Sequence, residues 1–174
     1  MIPEWIGAVA AVVAIVPLFA AGLTRLRRRP PAAGLPADPG GERYDLFLSY
    51  VDADADAARR LARRLLTAHG LTVFFAEWSV GPGIVGLIAK GEAIEKAAHG
   101  ALLFSRNSVG DAELMDAYAA LLTRVYDGSG GRFVPVRLDG AELPTFAAIR
   151  QPIDLRRGYD AEVAKLAAAV AQKK

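Results

Sequence analysis

Three carboxylates crowd one short stretch, "SRNSVGDAELMDAYAAL" from Ser105 to Leu121: Asp111, Glu113 and Asp116. The stretch follows an apolar run, "GALLFS", and opens a helical pattern, so the acids lie at a strand-to-helix junction. In a nucleotide-handling α/β domain such a junction is a place for a catalytic acid. A carboxylate there can stabilise positive charge that develops in a transition state. The competing role is structural. Asp111 and Glu113 fall in the first helical turn, where negative charge complements the helix dipole by about 0.3–1 kcal/mol.

Other segments carry weaker chemical signals. "GPGIVG", Gly81 to Gly86, has G-x-G-x-x-G spacing, yet its first glycine lies several residues past its strand. Pro82 also removes an amide, and no acid follows at the spacing a dinucleotide ribose needs. The segment reads instead as a mobile loop ahead of a helix. Trp78, just before it, is a stacking or interface residue in one reading and a packing residue in the other. "DADAD", Asp52 to Asp56, opens like a calcium loop but lacks its glycine and its closing glutamate, so Asp54 or Asp56 is expected to cap a helix. There is no cysteine, and His69 and His99 stand alone, each before a glycine, where a position near a helix C-terminus is expected. No metal site is therefore expected. Arg59, Arg60, Arg63 and Arg64 form a basic stripe that reads as a solvated helix face. A nucleic-acid partner is not expected, because no stacking aromatics accompany the stripe.

The elements that must position these groups alternate regularly. "YDLFLSY", "LTVFF", "GALLFS", "RFVPVRL" and "PIDL" are short apolar runs that read as strands buried on both faces. Between them lie helical patterns. The first carries Ala58, Leu61, Leu65 and Leu66 inward and ends at Gly70; the second carries Leu87, Ile88 and Ile94 inward; the last carries Val163, Leu166 and Val170. Alternating strands and helices imply a doubly wound α/β fold with a five-stranded parallel sheet of order 2-1-3-4-5. Ligands in such sheets sit at the carboxyl ends of the strands, here Ser49-Tyr50, Phe75-Ala76, Ser105-Arg106 and Leu138-Asp139.

The chain has 174 residues, 53% of them hydrophobic and 23% charged, which excludes a disordered protein; the net charge is only +2. From Trp5 to Thr24 twenty residues carry no charge, long enough to cross a hydrocarbon core of about 30 Å as a helix. Arg25, Arg27, Arg28 and Arg29 follow it, which orients the N-terminus outward and the rest of the chain into the cytoplasm. The expected organisation is an anchor with its arginine cluster over 1–29, a Pro/Gly linker over 30–42 and an α/β domain over 43–174.

The motifs of that domain resemble the TIR (Toll/interleukin-1 receptor) family, in its bacterial type. "YDLFLSY" matches an acid-led strand ending in Ser-Tyr, from Asp45 to Tyr50; "AEWSVGPG" matches a loop with a Trp and a Gly, Trp78 and Gly83; "ALLFSRNS" and "RFVPVRLDG" match the third and fourth strands. The resemblance covers Arg43 to about Leu155. It implies a flavodoxin-like, TIR-like sheet and one of two activities. One is homotypic assembly with other TIR domains, through a loop that here holds Trp78, Gly81, Pro82 and Gly83. The other is cleavage of NAD+ at the nicotinamide-ribose bond, with NAD+ as substrate and no further cofactor. The candidate pocket is then Ser49, Tyr50, Trp78 and Ser105.

The NAD-cleaving members use a glutamate on the third helix. Aligned without gaps, this chain has Ala117 in that register, before Tyr118, and Leu114 at the usual Trp or Cys position. A one-residue gap would bring Asp116 into the slot. Glu113 is the other substitute, on the same helical face as Ala117 and one turn, about 5.4 Å, earlier. The third reading is that no acid is catalytic. The reading placed first is a membrane-anchored cytoplasmic signalling or defence module acting by TIR-TIR assembly; an NAD+ glycohydrolase is the alternative.

Overall fold

The computed structural model describes residues 43–171. The expected anchor at 5–24, the arginine cluster and the linker lie outside the described residues. Among the described residues no helix is long and apolar enough to cross a membrane.

The strands are β1 (Tyr44–Ser49), β2 (Val73–Phe74), β3 (Ala97–Phe104), β4 (Phe133–Arg137) and β5 (Ile153–Asp154). The helices are α1 (Ala55–His69), α2 (Ala76–Ser79), α3 (Gly86–Lys96), α4 (Ala112–Tyr126), α5 (Thr145–Ala148) and α6 (Tyr159–Ala171). Every strand pair is parallel and the order is β2-β1-β3-β4-β5, as the strand-helix alternation predicts. The four-residue helices α2 and α5 have no periodic sequence signal.

Side chains alternate across the sheet and build a core on each face. Leu46 and Leu48 of β1, Ala101 and Leu103 of β3, and Val134 and Val136 of β4 pack with Leu61 and Leu65 of α1 and Val163, Leu166 and Val170 of α6. On the other face Phe47, Leu102 and Phe104 pack with Ile94 of α3 and Leu114, Ala117 and Leu121 of α4. Gly70 closes α1 in the left-handed region at φ 66°, its N–H donating to the carbonyls of Leu65 and Leu66.

Three expectations are corrected. Leu87 and Ile88 do not face inward: they are 76% and 60% exposed, and only the second half of α3, through Ala93 and Ile94, is buried. The sheet explains this. Its edge strand β2 has two residues, so little sheet lies under the first turn of α3. His99 is not at a helix end but within β3, where its Nδ1 accepts the Arg132 N–H at 2.9 Å. Neither Asp54 nor Asp56 caps α1 with its side chain: Asp54 holds the N-cap position with its carboxylate turned elsewhere, and Asp56 pairs with Arg59 at 2.6 Å.

Gly131 ties the loop before β4 to the amino end of β3. Its N–H donates to the Ala98 carbonyl at 2.7 Å, and a Cβ there would come within 2.5 Å of that oxygen and 2.3 Å of the His99 ring. Only glycine permits this approach.

Candidate functional site

The carboxyl ends of β1 and β3 are adjacent, so the loops that follow them meet. A single turn of 3₁₀ helix, Asp52–Asp54, follows β1, and another, Arg106–Ser108, follows β3. Asp54 is buried. Its carboxylate accepts the Ser105 hydroxyl at 2.5 Å and the Asn107 side-chain amide at 2.7 Å. The Ser105 hydroxyl also accepts the Asn107 N–H at 3.0 Å, while Ser108 Oγ accepts the Ser105 N–H and donates to its carbonyl, both at 2.9 Å. Ser105 and Ser108 are themselves buried and Asn107 is exposed, so this is a polar network, buried on its inner side, at the point where the strand order reverses. Sequence reasoning singled out Ser105 but not Asn107, and read Asp54 chiefly as a helix cap, with one of the Asp52–Asp56 acids as a second candidate for the pocket lining. The available signal was that Asp54 and Asn107 each follow one of two adjacent parallel strands by a few residues.

The remaining candidates sit on opposite faces of the sheet. Tyr50 and Trp78 pack against the α1/α6 core; the Tyr50 ring stacks on Phe75 at 5.0 Å, and Trp78 meets Phe75 edge-on at 4.9 Å. Burial, helped by the nearby Glu77 carboxylate, pushes the Tyr50 hydroxyl well above its ordinary value, so it stays protonated. Trp78 is half-buried and its Nε1 is enclosed without a hydrogen-bond partner among the described residues. The shelf that carries it is fastened to α1, because Arg59 donates to Glu77 at 2.5 and 3.1 Å. The basic stripe of α1 is thus not uniformly solvated: Arg59 is engaged there, and Arg64 pairs with Asp160 at 3.0 Å. Ser49 is half-buried at the end of β1, and Gly81, Pro82 and Gly83 form an exposed turn.

On the other face Ala117 and Leu114 are buried in the α3/α4 core. Tyr118 stacks on Phe146 of α5 at 3.8 Å. The three acids of α4 divide. Asp111 caps the helix, accepting the Leu114 N–H at 2.8 Å. Glu113 is 62% exposed and forms an ion pair with Lys90 of α3. Asp116 is exposed.

A cleft opens at the opposite, amino end of the sheet, between Arg43, His99, Arg124 and the Gly128–Gly131 loop. One of its cations is already committed: the Arg124 guanidinium donates to the carbonyls of Ile94, Ala97 and Ser129 and so fastens the loop.

Two groups make the fold acid-sensitive in the same direction. Burial, then the charge of Arg132, pushes the His99 imidazole below its ordinary 6.5. The unfolded chain therefore takes up that proton first, and stability falls as pH drops below about 6.5. Arg156 hydrogen-bonds Asp154 and holds its carboxyl at about 2, against an ordinary 3.8. That contribution is intact above about pH 4 and is lost as pH falls through 2. The urea midpoint is therefore expected to be flat from pH 8 to 7 and to decline below about 6.5, with the upper part of the decline removed in His99→Gln. A midpoint that rises on acidification would contradict both assignments.

A parallel sheet of order 2-1-3-4-5, with helices on both faces and a polar network at its switch point, defines a doubly wound α/β domain. A family model described as the TIR domain matches residues 46–167, and the chain belongs to the TIR-domain family. Solved structures agree on the fold. The TIR domain of the Toll-related receptor TRR-2 from Hydra magnipapillata is 15% identical with a TM-score of 0.58, covering 72% of this chain and 98% of that one. The TIR domains of the activated Roq1 resistosome, which directly recognises the pathogen effector XopQ, are 18% identical with a TM-score of 0.57, covering 72% and 95%. A metazoan TIR-STING receptor from C. gigas, in complex with 2',3'-cGAMP, is 22% identical with a TM-score of 0.63; the match covers 76% of this chain and only 41% of the receptor. None of the curated proteins matches the chain.

Proposed function

We propose that this chain is a membrane-anchored TIR-domain module for signalling or defence that works by homotypic assembly. Trp5–Thr24 is the anchor, and the TIR domain lies on the cytoplasmic side. One observation carries the assembly reading. Ile84, Val85, Leu87 and Ile88 are 57%, 60%, 76% and 60% exposed, at the end of the Gly81–Gly83 turn and the start of α3. Four large apolar side chains within five positions form a patch that favours a partner surface. Confining copies to one membrane plane raises their effective concentration and makes modest contacts sufficient. The test is reconstitution of the full chain in liposomes. The chain floats with the vesicles, and cross-linking yields oligomers that Leu87→Asp abolishes. A chain that stays off the vesicles removes the anchor; oligomers untouched by Leu87→Asp remove the patch.

The alternative, NAD+ cleavage, has one supporting observation: Glu113 is an exposed carboxylate in the first turn of α4. Its pairing with Lys90, and the buried alanine at position 117, favour the assembly reading. The expected result is that assembled full chain on vesicles releases no nicotinamide from NAD+ above the buffer rate. Turnover that is lost in Glu113→Ala and kept in Asp116→Ala would instead make Glu113 the catalytic acid.

A further inference from the structure

Four guanidiniums meet two carboxylates at the carboxyl ends of β3, β4 and β5. The register pairs Phe104 with Arg137 and Arg137 with Asp154, so Arg106, Arg137 and Arg156 emerge at or just past three neighbouring strand ends. Asp154 is buried and is the shared counterion: Arg156 reaches it at 2.8 and 2.6 Å, Arg157 at 3.6 Å and Arg137 at 4.0 Å. Asp139 spends its oxygens on backbone donors, the N–H groups of Arg106 at 3.0 Å and Ala141 at 2.8 Å. Glu162, the next acid along, accepts from Lys165 and from the Asp154 N–H.

Positive charge and unused donors remain. Nε of Arg137 is buried with no hydrogen-bond partner among the described residues. The Arg106 side chain forms no hydrogen bond among the described residues, and Asp139 is only its Coulombic neighbour. Gly140 leaves the space between them open: a Cβ there would lie 3.8 Å from an Arg106 Nη and 3.8 Å from an Arg156 Nη. Two guanidiniums therefore flank one point of an exposed turn, and a third, Arg137, shares the Asp154 carboxylate with Arg156. A buried donor without an acceptor is unfavourable, and planar guanidinium forks match the oxygens of a phosphate. The carboxyl ends of the strands are also where open parallel sheets receive ligands.

We propose that Arg106 and Arg156, which flank Gly140, together with Arg137, which shares Asp154 with Arg156, form a binding site for the phosphate groups of a small anion of the nucleotide or pyrophosphate class. This site is distinct from the apolar patch and goes beyond the assembly reading.

The test is calorimetric titration of the full chain with pyrophosphate and with ADP, in chloride buffer at constant ionic strength. Saturable binding is expected, weakened about 10-fold or more in Arg106→Ala and in Arg106→Lys, which keeps the charge but loses the fork. Arg106→Ala removes no side-chain hydrogen bond, so its thermal midpoint without ligand stays at the parent value. Arg156→Lys is the second variant; it retains a cation beside Asp154 and is expected to weaken binding similarly. Arg63→Ala, an exposed arginine on α1, leaves binding unchanged. ADP binding tighter than pyrophosphate identifies a nucleotide, and equal binding identifies the phosphates alone; both support the site. No saturable heat at millimolar ligand, or equal weakening by Arg63→Ala, overturns it.

Discussion

Asp54→Ala is expected to lower the stability of the domain by about 2–4 kcal/mol, on the order of 10 °C in Tm. The carboxylate is buried and receives two side-chain hydrogen bonds, from Ser105 and Asn107. Hydrogen bonds to a charged acceptor contribute more than neutral ones, and removing the acceptor leaves the buried Ser105 hydroxyl without its partner. The loss also uncouples the segment after β1 from the segment after β3, so the switch point loosens. Asp54→Asn keeps the shape and one acceptor oxygen and is expected to cost roughly 1 kcal/mol less. Urea unfolding of the parent, Asp54→Ala, Ser105→Ala and the double variant gives the coupling directly. A coupling near zero would show that the carboxylate and hydroxyl do not support each other, and the network would lose its structural role.

Leu87→Asp is expected to weaken self-association by about 10- to 100-fold and to leave the fold unchanged within about 0.5 kcal/mol. Both halves follow from its place. Leu87 is 76% exposed on the first turn of α3, so its replacement opens no cavity. In an assembly the same side chain would be covered, and burying a leucine contributes about 1.5–3 kcal/mol. A buried aspartate adds a desolvation cost in the same direction. Sedimentation velocity on the full chain in detergent, paired with its urea midpoint, separates the two effects. Loss of assembly together with a large loss of stability would mean that Leu87 packs within its own domain. Tyr126, exposed on the last turn of α4, supplies the control, and Tyr126→Ser should leave assembly intact.

Much of the fold was legible in the sequence because strand and helix periodicity is a local property. The alternating apolar runs marked all five strands, and Val163, Leu166 and Val170 of α6 and Leu61 and Leu65 of α1 face the core as their spacing predicts. The left-handed cap at Gly70 was readable for the same reason, since it needs only its own turn; Asp111, expected inside the first turn, instead caps it. Spacing gave no warning about α3. Leu87 shares a helical face with the buried Ile94 seven residues on, yet whether that face meets a sheet depends on how far the sheet extends, and β2 has two residues. His99 failed similarly, because a histidine before a glycine suits a helix end as well as a strand.

The candidate site divides along the same line. The sequence by itself determined which residue types are present: a TIR-type order of motifs, an alanine at 117, and three acids within six positions of α4. Only the tertiary structure decided what each acid does. Asp111 caps, Glu113 pairs with Lys90, and the buried carboxylate of the switch point is Asp54, which belongs to a different segment. It likewise brought Arg106 and Arg156 to either side of Gly140, and Arg137 to the Asp154 carboxylate that Arg156 also reaches. The physical reason is common to these cases. Backbone preference and side-chain spacing act within a few residues, whereas hydrogen-bond partners and exposure are set by which strands lie side by side, and parallel pairing joins residues dozens of positions apart.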